Sequence, residues 1–107
     1  MHLNAKTKNE IVSRLQQAQP HKIYLFGSYA AGTANKDSDI DLLLLKDSIS
    51  SRSKGMVEAR KLLGLLGLMN NAFDVLVATS EEFEFYRHEA GSVYREISER
   101  GKLIYAK

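Results

Sequence analysis

Asp39-Ile40-Asp41 runs directly into Leu42-Leu43-Leu44-Leu45. On an extended strand, carboxylates separated by one residue point to the same face, because side chains alternate with period two. Like charges beside leucines that favour burial repel each other and lose hydration, so the pattern needs compensation. A divalent cation supplies it, and hard oxygen ligands suit magnesium. Further along, Ala72-Phe73-Asp74-Val75-Leu76-Val77-Ala78 reads as a mostly apolar strand with one acid near its start. Strand propensity and burial both disfavour a lone Asp in such a run, which makes Asp74 a candidate third ligand. Acids at these three positions on neighbouring strands could hold two metals.

The surrounding elements must bring these residues together. Thr7 and Glu10 form a capping-box pattern, with Ile11, Val12, Leu15 and Ala18 following at helical spacing. That helix must stop before Pro20. The aromatic and β-branched run 22–26 predicts a first strand, ended by Gly27-Ser28. Small residues over 29–34 suit a short helix, 35–38 a loop and 39–46 a second strand. The short link makes the two strands antiparallel. After a Ser-rich connection over 47–53, a helix is predicted over 54–69 and ended by Asn70-Asn71. Its Gly64 and Gly67 each cost about 1 kcal/mol relative to alanine, which predicts close packing on the sheet. The strand over 72–78 then follows as a crossover, parallel to the second strand and right-handed.

Thr79 with Glu82 opens a helical segment over 81–88, and a helix over 92–100 closed by Gly101 leads into a terminal strand at 102–105. The fold class is therefore α/β (α+β), a small mixed β-sheet flanked by helices. Asp39, Asp41 and Asp74 all fall at strand starts, so this topology gathers them at one edge of the sheet.

The 107 residues predict a single domain, 1–107, burying roughly two-thirds of its unfolded surface. The absence of cysteine excludes disulfides, zinc-thiolate sites and thiol catalysis. No segment approaches the ~18 apolar residues of a membrane span and the start is polar, so a cytoplasmic protein without membrane contact is expected. Net charge is +2 with both signs interspersed, which gives no stripe for direct nucleic-acid binding.

Gly27-Ser28, ten intervening residues, Asp39-x-Asp41 and a later apolar strand carrying Asp74 together resemble the signature of the polymerase-beta-type nucleotidyltransferase superfamily. The string GSYAAGTANKDSDIDLLLL, in so short a chain, most resembles the minimal nucleotidyltransferase (MNT) domains, typically the antitoxin halves of prokaryotic HEPN/MNT toxin–antitoxin pairs. The resemblance implies a polymerase-beta-like nucleotidyltransferase fold, ATP as donor and two Mg²⁺ ions. It implies that Asp39 and Asp41 bridge both ions, while Asp74 binds the nucleophile-side ion and acts as general base. Gly27 and Ser28, with the following helix start, would bind the triphosphate. The implied acceptor is a tyrosine hydroxyl on a partner HEPN ribonuclease, whose AMP modification silences it. The alternative is a non-catalytic antitoxin that neutralises the toxin by direct binding.

One departure stands out. MNT-like sequences commonly carry Ala-Arg-Gly where this chain has Ala30-Ala31-Gly32, so a cation is missing at Ala31. Lys36 is the candidate replacement on the triphosphate. The chain has no G-x-x-x-x-G-K-[ST], which excludes a P-loop. Asp37, among Asn35, Lys36 and Ser38, reads as a turn residue, and His2, His21 and His88 are isolated. Phe83, Phe85, Tyr86 and Tyr94 read as packing for the last helices, with part of the set available as an apolar face for a partner.

Overall fold

The computed structural model describes residues 1–64 and 73–107. The first helix, α1 (Ala5–Leu15), is capped by Asn4, whose side-chain oxygen accepts the Thr7 N–H at 2.8 Å. Thr7 therefore lies inside the first turn and is not the cap that its spacing to Glu10 suggested. A 3-10 turn (Gln16–Ala18) and Gln19 at φ 55° bring the chain out of the helix before Pro20.

Strand β1 (Lys22–Phe26) leads through Gly27 into the one-turn helix α2 (Ser28–Ala31), which is shorter than the small-residue run predicts. Strand β2 (Ile40–Lys46) pairs antiparallel with β1, as the short link requires. Helix α3 (Arg52–Gly64) starts earlier than expected, using part of the Ser-rich connection. Strand β3 (Phe73–Thr79) pairs parallel with β2. Then come α4 (Ser80–Tyr86), α5 (Val93–Arg100) and β4 (Lys102–Ala106), which pairs antiparallel with β1. The sheet order is β3-β2-β1-β4, a mixed sheet as the sequence predicts. The expected helix end at Met69, Gly67, Asn70-Asn71 and the strand start at Ala72 lie outside the described residues.

The leucine run explains why β2 is central. Leu42 and Leu44 pack with Ile11, Leu15, Ile23 and Leu63 on one face, and Leu43 and Leu45 pack with Phe83 and Ile97 on the other. All four leucines are buried. Each contributes about 2 kcal/mol, so both faces of this strand are covered. Among the described residues a side chain at Gly64 would meet nothing within 4 Å, so no sheet packing is seen there. The glycine of α3 that faces the sheet is Gly55, whose Cβ position lies 3.5 Å from Val77.

On the second face, Tyr24 stacks on Phe83 with centroids 5.3 Å apart, and Phe83 meets Tyr94 edge-on at 6.1 Å. The helix carrying Phe83 is held by a reciprocal cap. Thr79 Oγ1 accepts the Glu82 N–H, and the Glu82 carboxylate accepts the Thr79 N–H, both at 3.0 Å. Glu82 also pairs with Arg52 at the start of α3. Thr79→Ala is therefore expected to cost about 1 kcal/mol in urea unfolding, with an unchanged m-value. Glu82→Ala should cost more, because it also releases Arg52.

Candidate active site

The ends of three strands converge on Asp41. Its register partners are Phe26 on β1 and Asp74 on β3, so Asp41 and Asp74 lie side by side across a parallel pair. Ile40 and Leu42 point into the core, which turns Asp41 to the opposite face of the sheet. Asp39 does not belong to β2, contrary to the expected strand start. Asp41 already pairs with Phe26, the last residue of β1, so the ladder on that side ends before Asp39.

Gly27 closes the site from the β1 side. At φ 71° it adopts a backbone conformation that favours glycine, and a Cβ there would overlap the Asp41 carboxylate. The missing side chain thus makes room for Asp41 first. Ser28 begins α2, and the Gly27 carbonyl accepts the N–H groups of Ala30 and Ala31, each at 3.1 Å. With a single turn, α2 has a much smaller dipole than a long helix.

The electrostatics follow from this geometry. Burial, then the Asp74 charge, then the Asp39 charge push the Asp41 carboxyl up to about 6 from its ordinary 3.8. The structure thus brings Asp39, Asp41 and Asp74 close enough to repel. Among the described residues, no group of three carboxylate or imidazole side chains is drawn together at metal-ligand spacing. As donors the three acids still suit a hard divalent cation, whose charge would reverse the effect on Asp41.

Lys36 sits exposed on the loop between α2 and β2, and among the described residues no ion pair ties it to the three acids. That loop is braced internally. Asn35 Oδ1 accepts the Asp37 N–H at 2.8 Å, Ser38 Oγ accepts the Asn35 N–H at 2.9 Å, and the Tyr29 hydroxyl donates to the Asn35 carbonyl at 3.2 Å. Asp37 is the turn residue its neighbours suggest. Sequence reasoning missed Tyr29, buried at 4% exposure, which anchors the segment leading to Asp39. The available signal was a single aromatic in a run of small residues. The hollow of about 820 Å³ along α3, lined by Val57, Lys61 and Leu62 among others, contains none of the acids.

Residues 5–104 match the family described as nucleotidyltransferase domain. A Methanocaldococcus jannaschii protein, named as a candidate protein adenylyltransferase, is 36% identical over 84 residues, spanning 78% of this chain and 77% of its own. A chain of a toxin–antitoxin crystal structure with AMP-PNP is similar at TM-score 0.68 and 24% identity, over 94% of this chain and 73% of that one. A chain of the complex between tri-AMPylated Shewanella oneidensis HEPN toxin and MNT antitoxin is similar at TM-score 0.63 and 21% identity, over 95% of this chain and 71% of that one. These two solved structures share the fold.

Two outcomes follow from the contact between Gly27 and Asp41. Gly27→Ala should destabilise the fold by about 2 kcal/mol or more, since it adds strain at positive φ to a collision. Part of that loss should be recovered in an Asp41→Ala background, as a double-mutant cycle by urea unfolding would show. The second concerns charge. Because the Asp41 carboxyl is raised in the folded state, its ionisation opposes folding: the penalty from this group is absent below about pH 4 and grows as pH rises towards 6. Solvent screening at this partly exposed site limits the effect to about 1 kcal/mol. Asp41→Asn should therefore raise the metal-free Tm by a few degrees at pH 7.5 and flatten its dependence between pH 4 and 6, read by calorimetry.

Proposed function

Since the chain belongs to the nucleotidyltransferase domain family, we propose that it transfers AMP from ATP to a tyrosine hydroxyl of a HEPN ribonuclease toxin and so acts as its antitoxin. The observation that carries this reading is the side-by-side placement of Asp41 and Asp74, with Gly27 against Asp41. Its support from relatives is the adenylyltransferase name of the Methanocaldococcus jannaschii protein and the tri-AMPylated Shewanella oneidensis HEPN toxin in complex with MNT antitoxin. The AMP-PNP in the other toxin–antitoxin structure supports ATP as donor.

Asp39, Asp41 and Asp74 are the residues that would hold magnesium in this reading. When bound, the ions supply positive charge at the transferring phosphate and lower the pKa of the attacking hydroxyl. The Ser28 hydroxyl donates to phosphate oxygens beside Gly27. Lys36, on the braced loop, offers a cation to the outer phosphates where Ala31 supplies none. Asp74 takes the proton of the acceptor hydroxyl. The acceptor oxygen bonds to the α-phosphorus, and the bond from that phosphorus to the bridging oxygen breaks. Pyrophosphate leaves with the electron pair. The product is an AMP ester of the acceptor.

The test incubates the protein with its toxin, ATP and Mg²⁺ and reads the toxin's mass. One or more added AMP units, with the rate reduced about 100-fold or more in Asp41→Asn and Asp74→Asn, is the expected result. A tight complex whose toxin mass never changes, alike in wild type and both variants, would establish neutralisation by binding alone. Omitting Mg²⁺ should abolish transfer, and restoring it should recover the rate.

A further inference from the structure

Among the described residues β3 ends the strand order and has a sheet neighbour, β2, on one side only. Along its outer edge runs a groove of about 460 Å³. Leu76 and Val77 form the floor, Met56 of α3 one wall, and Tyr86, Val93 and Tyr94 the other. Tyr86 and Val93 are 40% and 41% exposed, and the rings of Tyr86 and Tyr94 lie 6.2 Å apart. Arg52 closes one end: its Nη1 donates to the Val77 carbonyl at 3.2 Å and its Nη2 pairs with Glu82. Asp74 lies outside the groove, two residues before Leu76 on the same face of β3 and about 7 Å from it along the strand.

We propose that this groove docks the acceptor polypeptide as an extended segment paired with the edge of β3 ahead of the Val77 carbonyl that Arg52 holds. The accepting hydroxyl then lies at Asp74, and an apolar side chain two or three residues away lies against Tyr86, Val93 and Tyr94. The proposal rests on the reading of the site as a transferase acting on a protein hydroxyl. Three features select this occupant. First, Gly27-Ser28 lies on the β1 side of Asp41 and Asp74 on the β3 side, so a donor held at Gly27 leaves the β3 side to the acceptor. Second, an exposed strand edge recognises extended chains through backbone hydrogen bonds, with flanking pockets reading alternate side chains. Third, the exposed walls are aromatic and aliphatic, the composition of protein-binding hot spots, and the groove's Arg52 is engaged by Glu82, whereas a triphosphate would need cations free to bind it.

The experiment titrates the ¹⁵N-labelled full chain, without ATP or metal, with a short capped peptide bearing Tyr and, two positions away, Phe. Backbone amides of β3, Val93 and Tyr94 should shift. Affinity should fall about tenfold when the peptide's Phe becomes Ser, or when the protein carries Val93→Glu. Glu is favourable in the first turn of α5, so that variant should fold. Val57→Ser on α3 should change nothing. In the transfer assay, Val93→Glu should lower kcat/KM for the peptide about tenfold while leaving N-acetyl-tyrosinamide, too short to enter the groove, unaffected.

Equal use of peptide and tyrosinamide, or shifts absent from the groove, would overturn the proposal. So would groove shifts on adding ATP alone, which would make it a base pocket, or shifts that track self-association. Docking without any AMP transfer would uphold the groove and sink the transferase reading. Transfer without groove shifts would do the reverse.

Discussion

The site depends on the contact between the Asp41 carboxylate and Gly27, with Asp74 in register across β3. That contact is imposed by burial elsewhere on the same strand. Leu42 to Leu45 are buried on alternate faces, each contributing about 2 kcal/mol, and a one-residue slip would turn Asp41 into the core. Against this, carboxylate repulsion at a partly exposed rim amounts to about 1 kcal/mol. The core therefore wins, and it holds the acids in a proximity that their own charges oppose.

The charge balance around the acids constrains what can bind there. Among the described residues, the ion pairs involve other groups: Arg52 is engaged by Glu82, and the pairs on α4 and α5 are within single turns. A polyphosphate approaching Asp39, Asp41 and Asp74 would meet negative charge on both sides. Positive charge brought by the ligand would offset it. The loop carrying Lys36 is ordered by Asn35, Ser38 and Tyr29 rather than by contacts to the acids, so the lysine keeps its freedom to reach outwards.

Much of this was legible in the sequence, because the strongest signals were local. The aromatic run gave β1 with its observed bounds, the leucines gave β2, and Thr79 with Glu82 gave the start of α4. The parallel pairing of β2 and β3, and hence the meeting of Asp41 and Asp74, followed from a crossover link. Other features depended on competition or on distant partners. Asn4 outcompeted Thr7 as cap because its side chain reaches the Thr7 N–H, although Thr7 and Glu10 carry the capping-box spacing. Asp39 falls outside β2, and β1 stops at Phe26 opposite Asp41, which no pattern within 39–46 reveals. Gly64 looked like a packing glycine and has no such neighbour among the described residues. The groove was invisible for the same reason, since residues of α3, β3, α4 and α5 form it together.

The crossover through α3 also explains why an edge strand can contribute to the site. Had β3 followed β2 through a hairpin, it would run antiparallel, and its start would lie beside Lys46 at the far end of the sheet. The parallel arrangement instead sets Asp74 beside Asp41 at the strand starts. Being at the edge, β3 leaves that acid exposed while β2, covered on both faces, fixes its partner. Rigidity and access are thus divided between adjacent strands. The central strand holds Asp41 against Gly27, and the edge strand opens the same pair of acids to a molecule arriving from outside.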